Sequence, residues 1–257
     1  MQVWSRSETE RYDRLHELWQ IDRYRKFSPF YLARKRIIER LIAENTTSGI
    51  FVLDVGCGTG DIVRFLGSRA DFYLGIDVSR RALKEASKKF RGASFLLAMA
   101  NALPIKEERF DLAVCTEVLE HLEADAQAVN EISRVLRKDG LALLTVPQNP
   151  KYWTGEDAFD HHLRRYEAPD FARMLQSQDL KIENLLSWGF PLAYMFRKYV
   201  STRLFNARLH ESLPMRKEWA VRTMAKVLAQ MFRFDNLFND LSLGLGIVAV
   251  ARKLASR

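Results

Sequence analysis

The sequence predicts an α/β fold built on a mainly parallel sheet buried on both faces. Three observations predict it. Short apolar runs of strand length alternate with helix-length segments from Ile50 onward. The first of these runs ends in a glycine-rich turn, the junction at which open α/β sheets bind nucleotide-like ligands. The chain has 257 residues, 47% hydrophobic and 28% charged, which suits one large domain with additions.

The elements follow in order. The first segment reads as two helices. Tyr12, Leu15, Leu18 and Trp19 share one face, Ser28-Pro29 interrupts, and Tyr31 to Ile42 resumes the helical spacing. Ile50–Val55 reads as a strand and Ile62–Ser68 as a helix; Phe72–Ile76 and Arg80–Phe90 repeat the pair. Ser94–Ala98 is a third strand, followed by a turn at Leu103-Pro104, and Phe110–Cys115 is a fourth. A helix from about Ala124 to Arg137 is expected to stop at Lys138-Asp139-Gly140, since glycine commonly ends helices. Leu141–Val146 is a continuous apolar strand, Ala168-Pro169-Asp170 opens a helix, and Lys181–Trp188 and Leu245–Ala251 are the last two strands.

The turn Asp54-Val55-Gly56-Cys57-Gly58-Thr59-Gly60-Asp61 places three glycines at alternate positions, where a backbone can turn sharply and approach a ligand. Asp54 and Asp61 flank it and would repel a pyrophosphate while suiting a cationic ligand. Asp77, with Val78 beside it, follows 23 residues after Asp54 at the end of the second strand, where an acid accepts both hydroxyls of a ribose. These residues resemble the class I methyltransferases that use S-adenosylmethionine, and the resemblance spans residues 50–147. It includes Leu103-Pro104, Phe110-Asp111-Leu112 and Thr116-Glu117-Val118-Leu119-Glu120-His121, the last similar to the O-methyltransferases of ubiquinone biosynthesis, while the loop Phe159–Tyr166 resembles that of glycan- and lipid-pathway relatives.

The resemblance implies a Rossmann-like seven-stranded sheet with helices on both faces; the N-terminal helical cover and the helical insertion before the last strand are read from the flanking segments themselves, where the resemblance fades. It implies S-adenosylmethionine as cofactor, bound by Asp54, Gly56, Cys57, Gly58, Gly60, Asp77, Val78, Met99, Ala100, Asn101, Thr116, Glu117 and Val118. Met99 stands where the family carries an acid beside adenine, so Asn101 or backbone groups near Ala100 take that contact. Arg34 or Arg36 on the second N-terminal helix is expected to reach the donor carboxylate, and Arg36 is the residue assigned.

Phe159-Asp160-His161-His162-Leu163-Arg164-Arg165-Tyr166 lies in the family's acceptor-facing loop. His162, His161 and, after the fourth strand, His121 are the candidate catalytic bases. The two arginines offer guanidiniums to an anionic or polyhydroxyl acceptor. No metal site is expected, because Asp160-His161-His162 has no further ligands at a suitable spacing along the chain.

The net charge of +8 is uneven. Gly49 to Gly189 holds 18 basic and 21 acidic residues, whereas Phe190 to Asp235 holds 9 basic and 3 acidic. In that stretch Leu192, Met195, Phe196, Tyr199 and Val200 fall at helical spacing, as do Ala220, Val221, Met224, Leu228, Met231 and Phe232 in a helix from about Pro214. It reads as a helical lid, a homodimer interface or a basic amphipathic surface for anionic lipid.

The expected organisation is an N-terminal cover over 1–48, a donor-binding core over 49–189, a basic helical insertion over 190–240 and the final strand in 241–257. No apolar run reaches the length of about 18–20 residues that spans a bilayer, and no secretory leader is recognised, so a cytoplasmic location, peripheral to a membrane at most, is expected. Cys57 and Cys115 are expected to be reduced packing residues. Methyl transfer to an oxygen of a small or lipid-linked acceptor, a sugar or quinone-like ring, is the expected activity. A donor-binding partner subunit without catalysis and a nucleic-acid methyltransferase are the alternatives; no RNA-binding module is recognised, which disfavours nucleic acid as a partner.

Overall fold

A computed structural model describes Glu10, Asp13 and residues 28–66, 69–201, 218–239 and 242–254. The first N-terminal helix expected around Tyr12, Leu15, Leu18 and Trp19 lies outside the described residues, as does the start of the helix expected from Pro214.

Seven strands form one sheet in the order β3-β2-β1-β4-β5-β7-β6. These are β1 (Ile50–Val55), β2 (Ala70–Asp77), β3 (Ser94–Leu97), β4 (Phe110–Thr116), β5 (Leu136–Pro147), β6 (Leu180–Trp188) and β7 (Gly246–Lys253). The first five pair in parallel, and β7 enters antiparallel between β5 and β6. The predicted α/β class and the seven-stranded sheet are what the chain adopts.

Alternation along each strand explains the continuous apolar runs. Leu53, Val55, Ala113, Cys115, Ala142, Leu144, Ile247 and Ala249 point to one face, against Ala128, Val129 and Ile132 of helix α4 (Asp125–Val135) and Phe171 and Leu175 of α6 (Ala168–Gln176). Val52, Leu112, Val114, Leu141, Leu143, Val248 and Val250 point to the other, against Ile37, Ile38, Leu41 and Ile42 of α1 (Pro29–Asn45). Ser28 caps α1 and Pro29 occupies its first turn, so the Ser-Pro break marks a helix start. Helices α2 (Asp61–Leu66) and α3 (Arg80–Lys89) follow β1 and β2, and the short α5 is Gly155–Phe159.

One boundary differs from expectation. Helix α4 ends at Val135, and Lys138-Asp139-Gly140 lies inside β5. Asp139 takes φ +60°, and a Cβ on Gly140 would stand 2.9 Å from the carbonyl oxygen of Arg137. The glycine thus serves a tight irregularity in the strand rather than a helix stop.

The insertion begins with α7 (Leu192–Phe196) and a π-helical turn over Arg197–Ser201, and resumes as α8 (Glu218–Met231), which runs into a 3-10 segment over Phe232–Phe238. Asp235, buried, accepts from the amides of Leu192 (2.8 Å) and Ala193 (2.9 Å), tying the two ends of the insertion together. The core-facing residues of α8 are Ala225, Ala229 and, just beyond it, Phe232, with Leu228 packed beside them. Met224, Met231 and Val227 are about half exposed, whereas Leu228 and Phe232, expected to share a helical face with the two methionines, pack inward.

Candidate functional site

β1 delivers the glycine turn to the carboxyl edge of the sheet. There the amides of Gly56 (2.8 Å) and Cys57 (2.9 Å) both donate to Ile76 O, Gly60 N donates to Cys57 O (2.9 Å), and Gly58 N donates to Asp77 Oδ2 (2.8 Å). Amides that would cradle a pyrophosphate are therefore spent within the protein. Gly56 has φ +72°, and a Cβ there would stand 2.3 Å from Val118 Cγ2, so glycine is needed for packing. A Cβ on Gly58, by contrast, would meet nothing within 4 Å: this is the open face of the turn. Cys57 turns its sulfur toward Gly75 of β2, and burial pushes its thiol pKa up. Cys115 is buried and unpaired too, its thiol pushed up by the same cause.

The acids sort differently from their expected flanking pair. Asp54 is 1% exposed and accepts from the Tyr73 hydroxyl at 2.6 Å, so it backs the turn from inside rather than facing a ligand. Burial, aided by repulsion from Asp77 and Asp61 and opposed by the Tyr73 bond, raises its pKa to about 7. Asp61 is exposed and accepts from the Tyr31 hydroxyl at 2.6 Å. Asp77 is half-buried; besides Gly58 N it accepts from Ser79 N at 2.8 Å. A carboxylate has about four acceptor sites, of which these two bonds use two. Ser79, not Asp77, caps α3 through a bond from Ala82 N (3.1 Å).

Asp77 pairs with Leu97 in the β2–β3 ladder, and Ala98 N donates to Asp77 O at 3.2 Å, which brings Met99, Ala100 and Asn101 alongside. The side-chain oxygen of Asn101 is buried without a hydrogen-bond partner. At the end of β4, Thr116 registers with Thr145 of β5. Glu117 follows at φ +54°, an uncommon conformation for a side-chain-bearing residue. Its carboxylate accepts from Thr145 Oγ1 (2.9 Å) and from Arg34 Nη1. Arg36 does not reach this edge. It donates to Ala229 O and to Gln230 Oε1, each at 3.1 Å, because its position on α1 faces α8. Arg34, one residue pair earlier on the helix, is the arginine that comes to the site.

The loop after β5 is tightly held. Arg165 is buried and donates to Asp157 Oδ1 and Gln148 O, each at 2.9 Å; Arg164 donates to Asp125 Oδ2 at 3.0 Å, and so does the Tyr166 hydroxyl at 2.8 Å. Both guanidiniums are therefore committed to structural bonds rather than offered to an acceptor. Of the paired histidines, His161 is exposed, and only its carbonyl approaches the site, 3.4 Å from His121 Nδ1. His162 turns inward. Its Nδ1 lies 2.9 Å from Asp157 Oδ1, its ring meets that of His121 edge-on at 4.9 Å, and its Nε2 is 3.9 Å from Glu120 Oε1. Burial works against the Asp157 charge, but the bond from His162 and the charges of Arg165 and Arg197 hold its carboxyl well below the usual range. Burial and the neighbouring Glu117 push Glu120 the opposite way.

Thus Glu120, His121 and His162 come together, although 40 residues separate the last two and spacing along the chain gave no sign of it. Glu120 and Asp157 are the residues that sequence reasoning left without a role. A signal for Asp157 was present in Thr154-Gly155-Glu156-Asp157, a capping-box spacing that the structure realises through Thr154 N donating to Asp157 Oδ2 at 2.8 Å.

The strand order, the antiparallel seventh strand and a glycine turn facing an acid-tipped second strand define a Rossmann-like methyltransferase fold. Residues 53–144 match the family described as a methyltransferase domain. An uncharacterized methyltransferase of Bacillus subtilis, YcgJ, is 27% identical over 160 residues, covering 56% of this chain and 62% of that protein. A demethylmenaquinone methyltransferase of Thermotoga maritima is 29% identical over 150 residues, covering 56% of this chain and 64% of that one. The crystal structure of the [4+2]-cyclase SpnF superposes with a TM-score of 0.59 at 22% identity, over 85% of this chain and 81% of that one, a likeness of fold. Residues 53–144 thus carry a methyltransferase domain of the class I type, whose cofactor is S-adenosylmethionine. It spans less than two thirds of the length of these curated relatives.

The raised pKa of Asp54 has a stability consequence. Unfolded, the carboxyl titrates near its ordinary value; folded, it keeps its proton to about pH 7. Its contribution is therefore complete at low pH and is lost as pH rises from about 4 through 7. In urea titrations without ligand, the unfolding free energy of the wild type should fall, relative to Asp54→Asn, by about 3 kcal/mol between pH 5 and pH 8. Parallel pH profiles for the two proteins would show that the carboxyl is not buried in its acid form.

Proposed function

We propose that this chain transfers a methyl group from S-adenosylmethionine to an oxygen of a small or lipid-linked acceptor, a sugar or quinone-like ring. The observation that carries the reading is the open face at Gly58 beside Asp77, set at the same sheet edge as the inward-turned His162. The residues fit the donor. Asp77 has acceptor capacity for ribose hydroxyls, Gly58 gives the room that a Cβ would fill, and the unpartnered oxygen of Asn101 can accept from an adenine amino group. Gly56, Gly60, Cys57, Val78, Met99, Ala100, Thr116 and Val118 shape the pocket around it, and Arg34 over Glu117 takes the donor carboxylate.

The cofactor supplies a methyl carbon activated by a sulfonium. The protein's own contribution is order: it aligns the acceptor hydroxyl and shields it from water. The hydroxyl faces Glu120, His121 and His162, and its proton is received within that cluster. Asp157 fixes the His162 ring, so the Nε2 edge is presented to the acceptor.

The insertion, taken as residues 190–240 between the 49–189 core and the last strand, is assigned a peripheral membrane contact, with the protein on the cytoplasmic side. Trp219 (71% exposed), Met224, Val227, Met231, Phe234 and Leu237 (74%) are exposed on α8 and the segment after it, among Arg222, Lys226 and Arg233. Apolar side chains flanked by cations suit the interface of an anionic bilayer. No helix of the described residues is long and apolar enough to cross one.

Four measurements test this reading. Incubation with donor and candidate acceptors should give a product heavier by one methylene and an equal amount of S-adenosylhomocysteine; donor binding without turnover on any hydroxylated acceptor would point to a non-catalytic subunit. Gly58→Ala should weaken S-adenosylhomocysteine binding by at least about tenfold, or about 1.4 kcal/mol in calorimetry, with a folding cost of about 1 kcal/mol from its φ of +51°. Gly56→Ala should instead cost about 1–3 kcal/mol of folding, because its Cβ meets Val118. In flotation assays the protein should bind phosphatidylserine vesicles at low salt and lose that binding when Met224, Val227 and Met231 are changed to serine; a salt-insensitive dimer that ignores vesicles would assign the face to self-association.

A further inference from the structure

We infer that Glu120, His121 and His162 form a binding site for a divalent first-row metal ion. The carboxylate of Glu120 and one ring nitrogen from each histidine lie within 4.8 Å of one another. Donor atoms around one ion at about 2.1 Å are separated by roughly 3.0–4.2 Å. Closing the cluster therefore takes side-chain rotations of an ångström or so, and no backbone change.

The decisive observation is Glu120. It is 0% exposed, and neither of its carboxylate oxygens has a hydrogen-bond partner. A buried carboxylate without donors is costly. Protonation does not resolve it by geometry, because an acid proton needs an acceptor, and His162 Nε2 at 3.9 Å is beyond hydrogen-bond reach. A cation between Glu120 and His162 satisfies both at once. Glu120 is held in place from behind, its backbone carbonyl accepting from Leu163 N at 2.7 Å.

His162 is oriented as a ligand. Asp157 occupies its Nδ1, the carboxylate–imidazole arrangement that fixes the tautomer of metal-bound histidines and leaves Nε2 as the electron-pair donor. Asp157 is in turn anchored by Arg165, Arg197 and Thr154 N, so this outer partner is preset. Two imidazoles with one carboxylate favour manganese, iron or zinc over magnesium, which prefers oxygen ligands and water. Three protein ligands on one side leave the remaining positions open to an acceptor oxygen, and with the ion bound these side chains position that oxygen instead of receiving its proton. That last step rests on the methyl-transfer reading; the binding site itself does not.

The test is metal binding to the whole chain, stripped with chelator and titrated with Mn²⁺ and, separately, Zn²⁺ and Mg²⁺. Free Mn²⁺ is followed by electron paramagnetic resonance, and S-adenosylhomocysteine binding is measured on the same samples. One Mn²⁺ or Zn²⁺ per chain should bind, with Mg²⁺ much weaker. Glu120→Gln, which preserves volume, and His162→Ala should each weaken binding at least about 100-fold, since even outer-partner changes cost about 10–100-fold. His161→Ala, on the same loop but outside the cluster, should bind as the wild type does. Wild-type protein that takes up no Mn²⁺ or Zn²⁺, or Glu120→Gln that binds them undiminished, overturns the inference. If the nucleoside binds and the ions do not, the metal site falls and the methyltransferase reading stands; ion binding without nucleoside binding gives the reverse.

Discussion

A sheet covered by helices on both faces leaves only its strand ends for chemistry, and this constraint organises the molecule. The alternating burial of Val52, Leu53 and Val55, or of Leu141 to Leu144, consumes both faces of the central strands. Function is pushed to the carboxyl edge, where the glycine turn, Asp77, Glu117 and the loop after β5 meet. The edge is tied down because its loops are hydrogen-bonded to the strands: Gly56 and Cys57 to Ile76, Glu117 to Thr145, Tyr166 to Pro147.

Two carboxyl groups at this edge show how position decides role. Asp77 and Asp54 end adjacent parallel strands, yet Asp77 stays half open while Asp54 is sealed and pressed toward its neutral form. The difference is which side of the glycine turn each one occupies. Asp54 supports the turn through Tyr73; Asp77 holds it through Gly58 and remains accessible. A second pair, Glu120 and Asp157, repeats the theme around His162. Asp157 has arginines and amides to stabilise its charge, whereas neither oxygen of Glu120 has a hydrogen-bond partner of good geometry. An imidazole between a satisfied acid and an unsatisfied one is polarised in a single direction.

The insertion connects this edge to the opposite surface of the fold. Arg197, just beyond α7, donates to Thr154 and Asp157, while Asp235 ties α7 to the segment after α8. α8 rests on α1, the helix that also carries Arg34 to Glu117. Whatever contacts the exposed side of α8 is thus linked through α1 and Arg197 to residues on both sides of the proposed donor and acceptor sites.

Much was legible in the chain alone. Strand periodicity, the glycine turn and Asp77 are local signals: each depends on residues near one another in sequence, so the α/β class and the strand succession could be read directly. What depended on long-range contacts could not. Arg34 and Arg36 are indistinguishable by residue type, and only the packing of α1 against α8 turned one away. His161 and His162 are neighbours, and the positive φ of His161 decided which ring faces inward. Glu120, His121 and His162 met only when β4 and the loop after β5 were laid side by side in the sheet. Sequence determined the scaffold because backbone conformation answers to local pattern; tertiary structure decided the chemistry because burial and partner geometry exist only once distant segments are packed together.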